Sequence, residues 1–217
     1  MTGAPHLYII TDRQASLGRP LPTVIASALV GAAPAMRAGA RVAVALREKD
    51  LDAGPLLALA RDLRRITADA GAALFINDRV DVALAVGADG VHLGGRSLAV
   101  EDVARLAPAL PIAVSLHRPD EATTIGRHPQ VRFAVFGPVY RTPGKSAPTG
   151  LDGPGGLRAA CAAAGPALPI LALGSVDPER VPECVSAGAA GVACIRAVIA
   201  STNPNIAVAH FMISHGF

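Results

Sequence analysis

Two lysines stand in a chain of 217 residues that otherwise uses arginine for its positive charge. Of the 20 basic residues 18 are Arg, and the exceptions are Lys49 and Lys145. An ammonium is a compact point charge that can reach a phosphate, whereas a guanidinium is a planar fork, so the two are not interchangeable. Lys49 belongs to the run Arg47-Glu48-Lys49-Asp50, four charges directly after the apolar stretch VAVAL (42–46). In an extended chain Arg47 and Lys49 share a face. Together with Lys145 and the backbone N–H groups of Gly174-Ser175, they would form a phosphate-binding surface.

Asp78 is the strongest candidate metal ligand, because Mg²⁺ is hard and takes carboxylate, water and phosphate oxygens. The same NDRVDVAL stretch also reads as a helix start, where Asn or Asp acts as an N-cap. Both readings stand at this point. Ser115 and His117 lie two apart at the end of an apolar run, on one face, and His117 is an acid/base or pyrophosphate-contact candidate. His92 sits inside an apolar run and reads as core. His6, His128, His210 and His215 show no ligand spacing, and Cys161, Cys184 and Cys194 read as free buried thiols with no Cys-x-x-Cys.

The elements that would position these groups are short continuous apolar runs: LYII (7–10), VAVAL (42–46), ALFI (73–76), GVHL (90–93), IAVSL (112–116), FAVF (133–136), ILAL (170–173) and GVACI (191–195). Continuous rather than alternating runs mark strands buried on both faces of a parallel sheet. Helical stripes lie between them, as in Leu56, Leu59, Leu63 and Ile66, and in Val100, Val103 and Leu106. Asp177-Pro178 and Pro119-Asp120-Glu121 are helix-start signals. One junction recurs in AGARV, AGAALF, VGADGVHL and AGAAGVACI, where a Gly ends a helix just before a strand. The alternation predicts an α/β fold, a (β/α)₈ TIM barrel spanning 1–217 as one domain. A doubly wound sheet is the second choice, disfavoured because IITDRQ carries no G-x-G-x-x-G after the first strand. In a barrel the chemistry gathers at the C-terminal strand ends, where Thr11-Asp12, Arg47–Lys49, Asn77–Arg79, Ser115/His117, Gly174-Ser175 and Arg196 all fall. The packing of 203–217 is not legible, because Asn, Pro and Gly interrupt or end its helical spacing.

Composition removes other classes. The net charge of +3 is scattered, aromatics are 3% and Trp is absent, which argues against nucleic-acid binding. No apolar run is long enough to span a bilayer, and the N-terminus lacks a signal-peptide pattern, so the expected location is cytoplasmic. A homo-oligomer is compatible with the sequence but not specified by it.

In order along the chain, LYIITD (7–12), LREK (46–49), INDRVDVALAVGADGVHLG (76–94), VSLH (114–117), FGPVYRTPGK (136–145), ALGSV (172–176) and AGAAGVACIRAVIAS (187–201) resemble the thiamine phosphate synthase family and its sister branch, the TenI thiazole tautomerases. The resemblance implies an enzyme of thiamine biosynthesis acting on phosphorylated pyrimidine and thiazole precursors with Mg²⁺. It implies that Arg47, Lys49, Asn77 and Lys145 contact pyrophosphate and that Asp78 holds the metal. Ser115 is similar to the pyrimidine-side serine, and Thr142, Gly174, Ile195 and Arg196 match positions that hold the thiazole phosphate. Tyr8 and Ser175 complete the expected substrate-binding set. Three positions depart from the synthase pattern: Ala45 stands for Gln, Ser97 for a second metal-binding Asp, and Gly144 for Thr. Loss of a carboxylate weakens Mg²⁺ binding. A metal-free tautomerase of the TenI type, or a binding homologue without chemistry, are the alternatives.

Overall fold

The computed structural model describes residues 3–126, 128–141 and 153–217. Thr142, Gly144 and Lys145 lie outside the described residues. Eight parallel strands follow one another around a closed barrel: β1 Leu7–Ile10, β2 Val42–Leu46, β3 Ala73–Asn77, β4 Gly90–Leu93, β5 Ile112–Leu116, β6 Val131–Phe136, β7 Ile170–Leu173 and β8 Gly191–Cys194. β8 closes the ring on β1 through the pairs Leu7 with Val192 and Ile9 with Cys194. The expected (β/α)₈ architecture is therefore present. β6 starts two residues earlier than its apolar run, at Val131, and β8 stops at Cys194, leaving Ile195 in the loop.

Alternation along the strands divides the core in two. Tyr8, Ala43, Ala45, Ala73, Phe75, Ala113, Phe133 and Ala193 pack together inside the barrel. Leu7, Ile9, Val42, Val44, Leu46, Leu74 and Ile76 face the surrounding helices. The interior alanines leave room for three large rings. Tyr8, Phe75 and Phe133 meet edge to face, with centroids 5.2 to 5.8 Å apart, the arrangement that ring quadrupoles favour.

The helices are α1 Leu21–Arg37, α2 Ala53–Ala70, α3 Val80–Val86, α4 Val100–Leu106, α5 Pro119–Ile125, α6 Pro154–Ala164, α7 Val181–Ser186, α8 Arg196–Ile199 and α9 Pro204–His215. The recurring junction is one hydrogen-bonded device. Gly39, Gly71, Gly87 and Gly188 all have positive φ. In each case the next residue's N–H reaches back five residues: Ala40 to Ala35, Ala72 to Thr67, Ala88 to Ala83, and Ala189 to Cys184. These are Schellman ends, and they satisfy carbonyls the helix would otherwise leave open.

Two helix readings need correction. In α4, Leu106 is 66% exposed, and the core instead takes Ala107 and Leu110, just beyond the helix. In the tail, Pro204 does not interrupt a helix but opens one, occupying its first turn where a missing N–H costs nothing. Gly216, at φ 101°, ends it. Val208, Phe211 and Met212 are buried, and α9 lies against α1 so closely that a Cβ on Gly31 would stand 2.0 Å from the Asn205 carbonyl oxygen. The tail is therefore an integral outer helix. Among the described residues no helix is long and apolar enough to cross a membrane, and the three cysteines are free, with Cys184 and Cys194 buried as expected but Cys161 only half-buried on the outer helix α6.

Candidate active site at the barrel mouth

The four-charge run after β2 resolves into two faces. Arg47 and Lys49 are exposed, while Glu48 between them is 6% exposed. Both Glu48 carboxylate oxygens accept from the Arg13 backbone N–H at 3.1 Å, and burial pushes its carboxyl pKa up. The Arg47 N–H donates to Thr11 Oγ1 at 2.8 Å, pinning the β2 exit to the β1 exit. Glu48 thus anchors the loop to the turn Arg13–Ala15 and leaves the two cations on the opposite face.

Across from Lys49 stands Asp78, directly after β3. Its φ of 62° is left-handed, a region that Asp tolerates better than most side chains. The capping reading does not hold: α3 begins at Val80, its N-cap position is Arg79, and no side chain caps it. The Asp78 carboxylate points elsewhere. Oδ2 accepts from Asn77 Nδ2 at 2.6 Å and lies 3.6 Å from Lys49 Nζ. Oδ1 accepts from the Ser97 hydroxyl, and that hydroxyl also receives the Gly94 N–H at 2.6 Å, closing the turn after β4. Lys49, Asn77, Asp78 and Ser97 form one cluster from three successive strand exits. A cleft of about 250 Å³ beside it is lined by Leu46, Glu48, Lys49, Leu51, Leu56, Asn77, Asp78 and Arg79. A larger hollow of about 440 Å³ lies where the turn Pro178–Arg180 meets α9.

The next strand exit carries a buried relay. Ser115 Oγ is 2.8 Å from His92 Nε2, and His92 Nδ1 is 3.1 Å from the Tyr8 hydroxyl. Ser115 is the part-exposed member of the otherwise buried β5 inner face, while Tyr8 is wholly buried. Tyr8 therefore reaches the mouth only through His92. His92 is core, as its setting in the sequence indicates, yet its two ring nitrogens join two candidate residues. The signal was available: His92 has the strand parity of Ser115 and Tyr8, and all three fall on inward positions. Burial lowers the His92 pKa to about 4, with Arg47 and Lys49 adding to the effect and Asp78 opposing it.

His117 is exposed. Its Nδ1 lies 2.6 Å from the Gly137 carbonyl, which can only accept, so Nδ1 carries the hydrogen and Nε2 is left outward. Its backbone N–H donates to Glu121 Oε2 at 2.7 Å, and the Arg118 N–H donates to the same oxygen at 3.2 Å, tying the β5 exit to the first turn of α5. Past β7, Gly174 has φ 111°, and a Cβ there would meet Pro138 Cα at 2.6 Å. Only Gly fits that approach. Ser175, also left-handed at φ 48°, donates its hydroxyl to the Arg141 carbonyl at 2.8 Å, and its own carbonyl accepts from Arg180. Ile195 is half-buried and Arg196 exposed at the start of α8. The structure thus brings Lys49, Asn77 and Asp78 together, and links Tyr8 to Ser115 through the His92 ring. Gly174 and Ser175 sit against the strand β6 exit. Among the described residues no group of three or more His, Cys, Asp or Glu side chains could hold a metal.

Comparison with known proteins agrees with this geometry. The family model described as thiamine monophosphate synthase matches residues 7–198. A Geobacter sulfurreducens protein, provisionally named a thiamine-phosphate synthase, is 46% identical over 204 residues, covering 91% of this chain and 88% of the relative. The thiamine-phosphate synthase of Moorella thermoacetica is 37% identical over 205 residues, covering 91% of this chain and 89% of the relative. The solved structure of a thiamine phosphate pyrophosphorylase from Pyrococcus furiosus superposes with a TM-score of 0.83 at 30% identity, over 96% of this chain and 94% of that one. A 3-hexulose-6-phosphate synthase, 18% identical with a TM-score of 0.63, shares the fold alone. Strand exits, family model and relatives converge: the chain belongs to the thiamine monophosphate synthase family, and is a transferase of thiamine biosynthesis.

Proposed function

We propose that the protein joins hydroxymethylpyrimidine pyrophosphate to thiazole phosphate and releases pyrophosphate, the thiamine-phosphate synthase reaction. The bond from the pyrimidine's methylene carbon to the pyrophosphate oxygen breaks, and its electron pair leaves with pyrophosphate. The thiazole nitrogen lone pair then forms the new C–N bond. What such a step needs from a protein is neutralisation of the departing charge and alignment of two ligands. The observation that carries the reading is the Lys49–Asp78 pair with Asn77 and Ser97, in a chain whose relatives bear the synthase's name. In this reading Arg47, Lys49, Asn77 and Lys145 receive pyrophosphate. Ser115 and His117 lie on the pyrimidine side, with Tyr8 behind Ser115. Thr142, Gly174, Ser175, Ile195 and Arg196 receive the thiazole phosphate.

The family implies Mg²⁺. The cluster offers one carboxylate, Asp78, already oriented by Asn77 and Ser97, and one neutral oxygen, Ser97 Oγ. Mg²⁺ is commonly held by one or two carboxylates plus substrate phosphate oxygens and water, so the donor set fits an ion that arrives with the pyrophosphate. When bound it would neutralise charge on the leaving group. With Ser97 in place of a second carboxylate, that affinity is expected to be weak.

The test is pyrophosphate release with both substrates, with and without millimolar Mg²⁺. Release that depends on both substrates and on the metal supports the proposal. Metal-independent interconversion of thiazole tautomers would select the tautomerase instead, and ligand binding with neither activity would select the non-catalytic reading.

A further inference from the structure

Below the mouth, the barrel interior buries one imidazole between two hydroxyls. His92 Nδ1 faces Tyr8 and Nε2 faces Ser115, and the Tyr8 and His92 rings lie nearly parallel, 10° apart. The direction of these hydrogen bonds follows from burial. Tyr8 is 0% exposed, and among the described residues its hydroxyl meets one polar partner, His92 Nδ1. If Nδ1 carried the hydrogen, the Tyr8 O–H would be a buried donor with no acceptor, the costlier arrangement. The Tyr8 O–H therefore donates to Nδ1. In the neutral ring the hydrogen then sits on Nε2 and donates to Ser115 Oγ. Ser115 receives this bond from below, so its own O–H is left for the mouth, where the side chain is part-exposed.

We propose that His92 is a positioning residue which, with its tautomer set by Tyr8, fixes Ser115 as a hydrogen-bond donor toward an aromatic ring nitrogen of the pyrimidine substrate. The inference rests on the synthase reading for the identity of that substrate, but not for the tautomer. It gives a polar chain inside an otherwise apolar barrel a reason to be there. A buried His with the opposite tautomer would turn the Ser115 hydrogen inward and present an oxygen lone pair to the ligand instead.

Two measurements test it. In the unliganded wild-type protein, ¹⁵N-detected imidazole spectra should show His92 as the neutral Nε2–H tautomer, and an Nδ1–H ring overturns the proposal. The double variant Tyr8→Phe/His92→Leu removes both polar groups at once, so that neither is orphaned. It should raise KM for hydroxymethylpyrimidine pyrophosphate about tenfold, leave KM for the thiazole phosphate unchanged, and make a further Ser115→Ala change nearly silent. Equal movement of both KM values, or full additivity with Ser115→Ala, contradicts it. If the wild type shows no turnover with both substrates, the synthase reading fails by itself. The tautomer spectrum, with the dissociation constant of hydroxymethylpyrimidine pyrophosphate in wild type and double variant, still decides the role of His92.

Discussion

Lys49 Nζ stands 3.6 Å from Asp78 Oδ2, with the two side chains 45% and 35% exposed. An exposed pair of this kind contributes at most about 1 kcal/mol to stability, so its value lies in what the ammonium and carboxylate can do for a ligand. Lys49→Ala should lower kcat/KM about 10²-fold, the usual cost of removing one charged donor from a developing anion. The melting temperature should hardly move. Steady-state kinetics beside a thermal melt separate the two, and a variant that melts early but turns over normally would count against the assignment.

Ser97→Asp places a second carboxylate where Ser97 now donates to Asp78. Without metal the two carboxylates repel, so the variant should melt below the wild type. Millimolar Mg²⁺ should restore its melting temperature, and half-maximal activity should need less Mg²⁺ than in the wild type. An unchanged Mg²⁺ requirement would show that Asp78 is not the metal's ligand.

Gly31 tests the outer wall rather than the site. With the Asn205 carbonyl oxygen 2.0 Å from a hypothetical Cβ, Gly31→Ala forces α1 and α9 apart. The cost should be on the order of 1–3 kcal/mol, read as a fall in denaturant midpoint, with KM for either substrate unaltered. An unchanged midpoint would mean that α9 does not dock as described.

Stability should fall in mild acid. His6 and His92 are each held down to about 4 from 6.5, chiefly by burial. Arg41 and His215 also face His6 and act in the same sense. Below pH 6.5 the unfolded chain takes up protons on both rings while the folded one does not. Their stabilisation is therefore complete above that pH and is lost as pH drops toward 4, at up to about 1.4 kcal/mol per unit for a fully buried ring and less for half-buried His6. His6→Asn keeps an acceptor for the Arg41 N–H, now bonded at 2.9 Å, and should flatten the decline in melting temperature between pH 6.5 and 4. Parallel curves would contradict this.

Much of the fold was legible because buried parallel strands cannot hide their composition: seven of the eight apolar runs begin where a strand begins. The four Gly junctions were legible for the same kind of reason, since only one residue type takes positive φ cheaply. The site was legible where strand parity dictates it, as at Arg47 and Lys49 flanking buried Glu48. It was not legible where one side chain satisfies another across the barrel. Nothing in HLGGRS says that the Ser97 hydroxyl turns back to Asp78, and strand parity turns His92 inward with Tyr8 and Ser115 without saying that its ring bridges them. The exposure of Leu106 and the docking of the tail were missed because local spacing does not report which neighbour arrives to cover a helix.

The central claim is that this barrel mouth receives pyrophosphate and lets it go. The most direct measurement is pyrophosphate release by the purified protein given hydroxymethylpyrimidine pyrophosphate, thiazole phosphate and Mg²⁺. Release that requires both substrates, accompanied by stoichiometric thiamine phosphate, is the predicted result. No release under those conditions, from protein that melts cooperatively, would contradict it.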